Sequence, residues 1–338
     1  MRASSAVLTD STVRLWDLVF PSEEPLLVRT RAAYVHLESL IAYAKRDRDA
    51  KVNAWLACYR PDETILLFFL SGEIANASVV TPVGRFPVAI AEALKHVRAD
   101  TERSEIAYHA AGPEALAAMY AACAQTPQDL GLDPSSPKTI FDNVLARKWT
   151  GMLELISDGR VNYLSVKDGR YASGIFSDQK PTEDAKAYLA RLFVVKGAAV
   201  QPRVAVKAFN GLQTLPLQAT PALVALFRQY VWDIVELAER EVPGDAAKRA
   251  EKIRMKLTPA HEALKSVGGA RGSSFADPIV EPSQFTDGLA GWTRDFLGEL
   301  EVMHPKIAPR LLKEATRDQR YQLQALGFFD RLPWKIEW

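Results

Sequence analysis

The stretch "MLELISDGRVNYLSVKDGRYASGIFSD", Met152 to Asp178, carries strand-like runs separated by two Asp-Gly-Arg turns. Its Leu, Ile, Val and Tyr residues suit a pleated, half-buried surface. A two-residue hairpin turn of the primed type needs positive φ, which glycine adopts without a Cβ clash, so Asp-Gly is a favoured pair. Turns at "SDGR" (157–160) and "KDGR" (167–170) therefore fold this stretch into an antiparallel meander of three short strands. Asp168 reads as a turn residue that bonds its own backbone rather than as a catalyst.

Ninety-seven residues upstream the pattern recurs. "KVNAWLACYRPDETILLFFLSGEIANA" aligns with "KWTGMLELISDGRVNYLSVKDGRYASG" without insertion from Lys51 to Val80. The alignment pairs Lys51 with Lys148, Leu56 with Leu153, Leu67 with Leu164, Gly72 with Gly169 and Ala75 with Ala172. Gly72 and Gly169, with Asp168, are thus the expected structural turns. A helical stretch follows each meander, Pro87 to Val97 and Thr182 to Val195, the latter with Thr182 as N-cap. A further strand, "SEIAYHAA" or "PRVAVKAF", completes each unit as an α+β module.

Working outward, "AQTPQDLGLDPSSPKT" (Ala124 to Thr139) has the proline and serine content of a linker. Beyond Leu223, Leu226, Phe227, Tyr230, Val231, Ile234, Leu237 and Ala238 recur at helical spacing. The stretches Asp245–Val267, 284–303 and 309–326 extend this helical region. The expected class is α+β: two related small modules, each an antiparallel meander plus helix, then a helical C-terminal domain. The boundaries read as an N-terminal segment at 1–29, a first module at 30–125, a linker at 126–137, a second module at 138–212 and the helical domain at 213–338.

From Ile140 to Gly174, an opening helix, Lys148-Trp149-Thr150-Gly151, then Leu153, Leu155 and the turn Asp168-Gly169-Arg170 ending in Ala172 resemble the PATAN domain. The resemblance covers about residues 138–206, with a diverged copy at about 40–110 in which Ala54 replaces the first glycine and Ser71 the aspartate. That family occurs in bacterial response regulators and motility-control proteins. The resemblance implies a module that binds partners and catalyses nothing. Trp149 departs from the family pattern, and no receiver domain with its acidic cluster accompanies the modules, which argues against direct phosphorelay.

Composition narrows the classes. Forty-two basic residues against forty-one acidic ones give a net charge of +1, too small a field to draw the chain onto nucleic acid or anionic lipid. The longest aliphatic and aromatic run, Ile65 to Leu70, is far below the roughly 18 residues of a membrane span. Asp10, Arg14 and Asp17 interrupt the N-terminal apolar content, so no secretory signal is read and a cytoplasmic location is expected. Cys58 and Cys123 lack metal or disulfide spacing and read as buried thiols.

Motifs for chemistry stop short. His261-Glu262 opens like a zinc helix, but Lys265 stands where the second histidine belongs. His36, His96, His109 and His304 are scattered. Ser135 and Lys138 match a Ser-x-x-Lys nucleophile, which needs a helix that Pro137 is expected to prevent. "GGARGSS" (268–274) lacks the lysine of a phosphate loop. Asp47 and Asp49 lie among Lys45, Arg46, Arg48 and Lys51 and read as a solvated helix end. No catalytic, cofactor-binding or metal residue is assigned.

The tail "LGFFDRLPWKIEW" (Leu326 to Trp338) is too aromatic for a solvated terminus. Phe328, Phe329, Trp334 and Trp338 are its candidate interaction residues, docking on the same chain or on a partner. The expected function is a non-catalytic bacterial regulatory or scaffolding protein, in signalling or motility control, whose partners are other proteins. A homo-oligomer is compatible with this reading. Two alternatives stay open: a sensory module holding a small ligand between its modules, and an enzyme with dispersed residues.

Overall fold

β2 (Ala54–Tyr59), β3 (Thr64–Leu70), β4 (Glu73–Thr81) and β6 (Glu105–Ala110) form an antiparallel series in the order β6-β2-β3-β4, extended by β1 (Glu24–Arg31) beside β6 and β5 (Gly84–Pro87) beside β4. A second antiparallel sheet has the order β10-β7-β8-β9, from β7 (Gly151–Ser157), β8 (Arg160–Lys167), β9 (Arg170–Ile175) and β10 (Ala205–Phe209). The computed structural model describes residues 14–45, 52–178, 183–194, 204–268, 271–272 and 275–338. It divides into two compact units, residues 1–88 with 92–216, and residues 217–338 with 89–91. The class is α+β, with both sheets in the first unit and a helical C-terminal region.

The two sheets are built on one plan. α1 (Leu37–Ala44) precedes β2 as α4 (Pro137–Ala146) precedes β7, and α2 (Ile90–Arg98) precedes β6 as α5 (Ala185–Phe193) precedes β10. Leu56 pairs with Leu67 as Leu153 pairs with Leu164. The β3–β4 ladder slips between Phe68 and Phe69, and the β8–β9 ladder slips between Ser165 and Val166, ninety-seven residues on.

The turns repeat to the hydrogen bond. Ser71 and Gly72 have φ of 51° and 80°, Asp168 and Gly169 of 50° and 77°, the left-handed pair of a primed turn. Gly72 N–H donates to the Val52 carbonyl at 2.9 Å and Gly169 N–H to that of Trp149 at 2.8 Å. Ser71 N–H donates to Asn53 Oδ1 at 2.7 Å, as Asp168 N–H does to Thr150 Oγ1 at 2.9 Å. A Cβ on Gly72 would lie 2.6 Å from the Ala44 carbonyl oxygen of α1, and one on Gly169 would lie 2.7 Å from that of Val144 in α4. Only glycine meets both the dihedral and the close approach.

β7 and β8 are covered on both faces, which explains their dense apolar content. Leu153, Leu155, Leu164 and Val166 pack with Ile140 and Val144 of α4 and Tyr188, Leu189 and Leu192 of α5. The alternate residues Met152, Ile156, Val161 and Tyr163 join a core that also holds Trp55, Ala57, Leu66 and Phe68 of the first sheet. α3 (Pro113–Ala124), an alanine-rich helix buried from Ala115 to Cys123, belongs to that shared core. Each large side chain so buried contributes roughly 1.5–3 kcal/mol. The N-terminal residues Leu15, Leu18 and Phe20 join it too, held by Val19, whose N–H donates to the Gly159 carbonyl at 3.0 Å.

Local expectations shift in three places. Pro87 closes β5, and α2 starts only at Ile90. Thr182 lies outside the described residues, and the N-cap of α5 is Asp184, whose carboxylate accepts from Ala187 N–H at 2.6 Å. The helix that Pro137 was expected to prevent begins at Pro137, as α4, with Ser136 and Thr139 forming a reciprocal capping box. Proline at the first helical position has no N–H to lose and the right φ, so it starts a helix there.

The C-terminal unit contains α6 (Pro221–Glu241), α7 (Ala246–Leu257), α8 (Pro282–Met303), α9 (Ile307–Ala315) and α10 (Arg320–Ala325). Val224, Phe227, Tyr230, Val231, Ile234, Val235 and Ala238 form the buried face of α6. Tyr230 Oη of this face lies 3.0 Å from Thr293 Oγ1 of α8, and Trp292 Nε1 of α8 donates to the Ala250 carbonyl at 3.0 Å.

Candidate functional site

Lys265 pairs with Glu262 at 3.0 Å, and the His261 side chain packs against the backbone of α8 at Gly288. Among the described residues no three His, Cys, Asp or Glu side chains gather as a metal site. Cys58 and Cys123 are buried free thiols whose burial pushes each pKa up to about 11, the protonated and unreactive form. Ser135 Oγ donates to Asp133 Oδ2 at 2.8 Å. Asp47, Asp49 and most of 268–274 lie outside the described residues.

The tail lies on the helices of its own unit. Phe328 is fully buried, its ring 5.2 Å from Tyr230 and 6.0 Å from Phe227. Phe329 and Trp334 are partly buried against the same core, and Trp334 Nε1 donates to Glu301 Oε2 at 2.9 Å. Trp338 stays 45% exposed, edge-on to Phe329 at 5.6 Å, with the Arg320 guanidinium 5.7 Å from its ring. Of the four aromatics it alone presents a broad open face.

An ion pair between Arg85 of β5 and Glu154 of β7 is buried in the first unit, with side-chain exposures of 3% and 0%. Glu154 is flanked in register by Tyr163 and Lys207. Burial, reinforced by Glu154, pushes the Tyr163 hydroxyl well above its usual range, and partial burial lowers Lys207. Arg85 Nε and Nη2 and Glu154 Oε2 have no hydrogen-bond partner among the described residues. Removing one member of such a pair leaves an uncompensated buried charge. Sequence reading missed Glu154, although a carboxylate between Met152 and Ile156 on a core-facing side was its signal.

The exposed face of α7 is of another kind. Lys248, Glu251, Lys252, Met255 and Lys256 line one shallow surface strip with Ala247. The three lysines stand at i, i+4 and i+8, about 6 Å apart along the axis. Lys256 lies 3.6 Å from Asp295, whereas Lys248 and Lys252 have no partner among the described residues. Glu251 is engaged by Arg254, whose hydrogen bond holds its carboxyl below the usual range. Met255 is 64% exposed beside Lys256, at the C-terminal end of this row. The opposite side of α7, Ala246, Ala250 and Ile253, is buried in the core. The strip is a cationic, partly apolar surface, two of whose charges have no counterpart among the described residues.

The chain matches no protein-family model, no curated protein and no solved structure.

Proposed function

We propose that this chain is a regulatory or scaffolding protein of the bacterial cytoplasm, in signalling or motility control, that acts by binding other proteins. The observation that carries the reading is the α7 strip, where exposed Met255 stands with a row of three lysines, two of them without a partner among the described residues, a composition suited to a protein contact. The PATAN resemblance adds support: its Thr150, Asp168 and Gly169 make one hydrogen-bonded turn under α4. A small ligand between the modules is the weaker reading, since α3 and large side chains fill the core that the two sheets share. Affinity capture with the tagged full chain from its own host, checked by tagging each recovered protein in turn, tests the proposal. Reciprocal recovery of a protein is the expected result. Failure to recover any protein reciprocally would overturn it.

A further inference from the structure

Resting on that reading, we propose that the α7 face of Lys248, Lys252, Met255 and Lys256 docks an acidic helical segment of a protein partner. Carboxylates spaced four residues apart on a helix repeat at the same interval of about 6 Å, so a helix laid along α7 meets each lysine in turn. Two of the lysines have no other partner among the described residues, and the third holds Asp295 at a distance that leaves its ammonium open to exchange. Met255, flexible and polarisable, offers an apolar contact that tolerates several side chains.

Two other anionic partners fit less well. Sinking into a lipid surface takes a broad apolar face, and the apolar residues of α7 other than Met255 and Ala247 are buried or half-buried in its own unit. Single-stranded nucleic acid needs aromatic platforms, and the strip has none, while Glu251 lies within it.

The probe is a fluorescein-labelled helical peptide with three glutamates at four-residue spacing and a leucine beside a terminal one, titrated with the full chain and followed by anisotropy. Binding is expected, weakening as ionic strength rises, and falling by about tenfold or more in the Lys248→Glu/Lys252→Glu variant. Met255→Ala is expected to weaken it a few-fold. A peptide with lysine in place of glutamate is expected not to bind. Unchanged affinity in the reversed variant, or salt-independent binding by the unaltered chain, would overturn the proposal whether or not the variant folds. So would α7-dependent binding confined to phosphatidylserine vesicles or to DNA. If α7 reversal leaves reciprocal partner capture intact and the peptide does not bind, the docking site is wrong and the partner-binding reading stands. If no protein is recovered either, both fall.

Discussion

Glu154 and Arg85 illustrate how one residue is constrained by its surroundings. Removing the guanidinium with Arg85→Ala strands a fully buried carboxylate, and the expected cost is on the order of 3–5 kcal/mol in denaturant unfolding. Replacing both partners with apolar side chains, Arg85→Met with Glu154→Leu, removes the charges together and is expected to restore most of that loss. A double variant no better than the single would show that packing, not charge, dominates. Asp178 sets a pH dependence. Partial burial raises its pKa, but hydrogen bonds from Tyr188 and Arg191, with Arg160 alongside, bring it below the usual carboxylate range. A depressed carboxylate stabilises the fold above its unfolded pKa and loses that contribution as pH falls through the folded value. Asp178→Asn should therefore flatten the acid limb of the stability curve, and an unchanged limb would count against it.

At the scale of elements, the turns were the most legible part of the sequence, because the second position of a primed turn favours glycine and the preference repeats. Gly169→Ala is expected to destabilise by at least about 1 kcal/mol, since it adds a Cβ in the left-handed region and against α4. A neutral result in thermal unfolding would mean the turn relaxes. The edges of the two sheets differ: β5 covers β4, whereas among the described residues no strand covers β9, and Arg170 to Ser173 are exposed. Hydrogen exchange should be faster across β9 than across β4, and equal protection would reveal a cover on β9. β1, β5 and α3 escaped sequence reading for physical reasons. β1 contains Pro25 and two register shifts, and β5 is four residues long. α3 is apolar on nearly every side, so it shows no helical period. Sequence reading missed the α7 strip; the four-residue spacing of its lysines was the signal, but only packing reveals which of them lack a partner among the described residues.

For the whole molecule, the C-terminal residues act as part of a core. Deleting 331–338 removes Leu332, Trp334 and Ile336 from the helical unit and should lower the melting temperature by several degrees, with the mass in light scattering unchanged. A change in mass with no thermal effect would assign the tail to a second molecule instead. The aromatic content of the tail announced burial from sequence alone, but the choice of Phe328 for the interior and Trp338 for the surface comes from the shape of α6. In the first unit, two sheets of one plan share a core within a single polypeptide. Two free identical subunits would carry every substitution twice. A tethered pair escapes that rule. Ala57 and Glu154 hold the same place in the two copies, one a methyl group and the other a charge, an asymmetry open to a covalently linked pair and closed to a symmetric dimer.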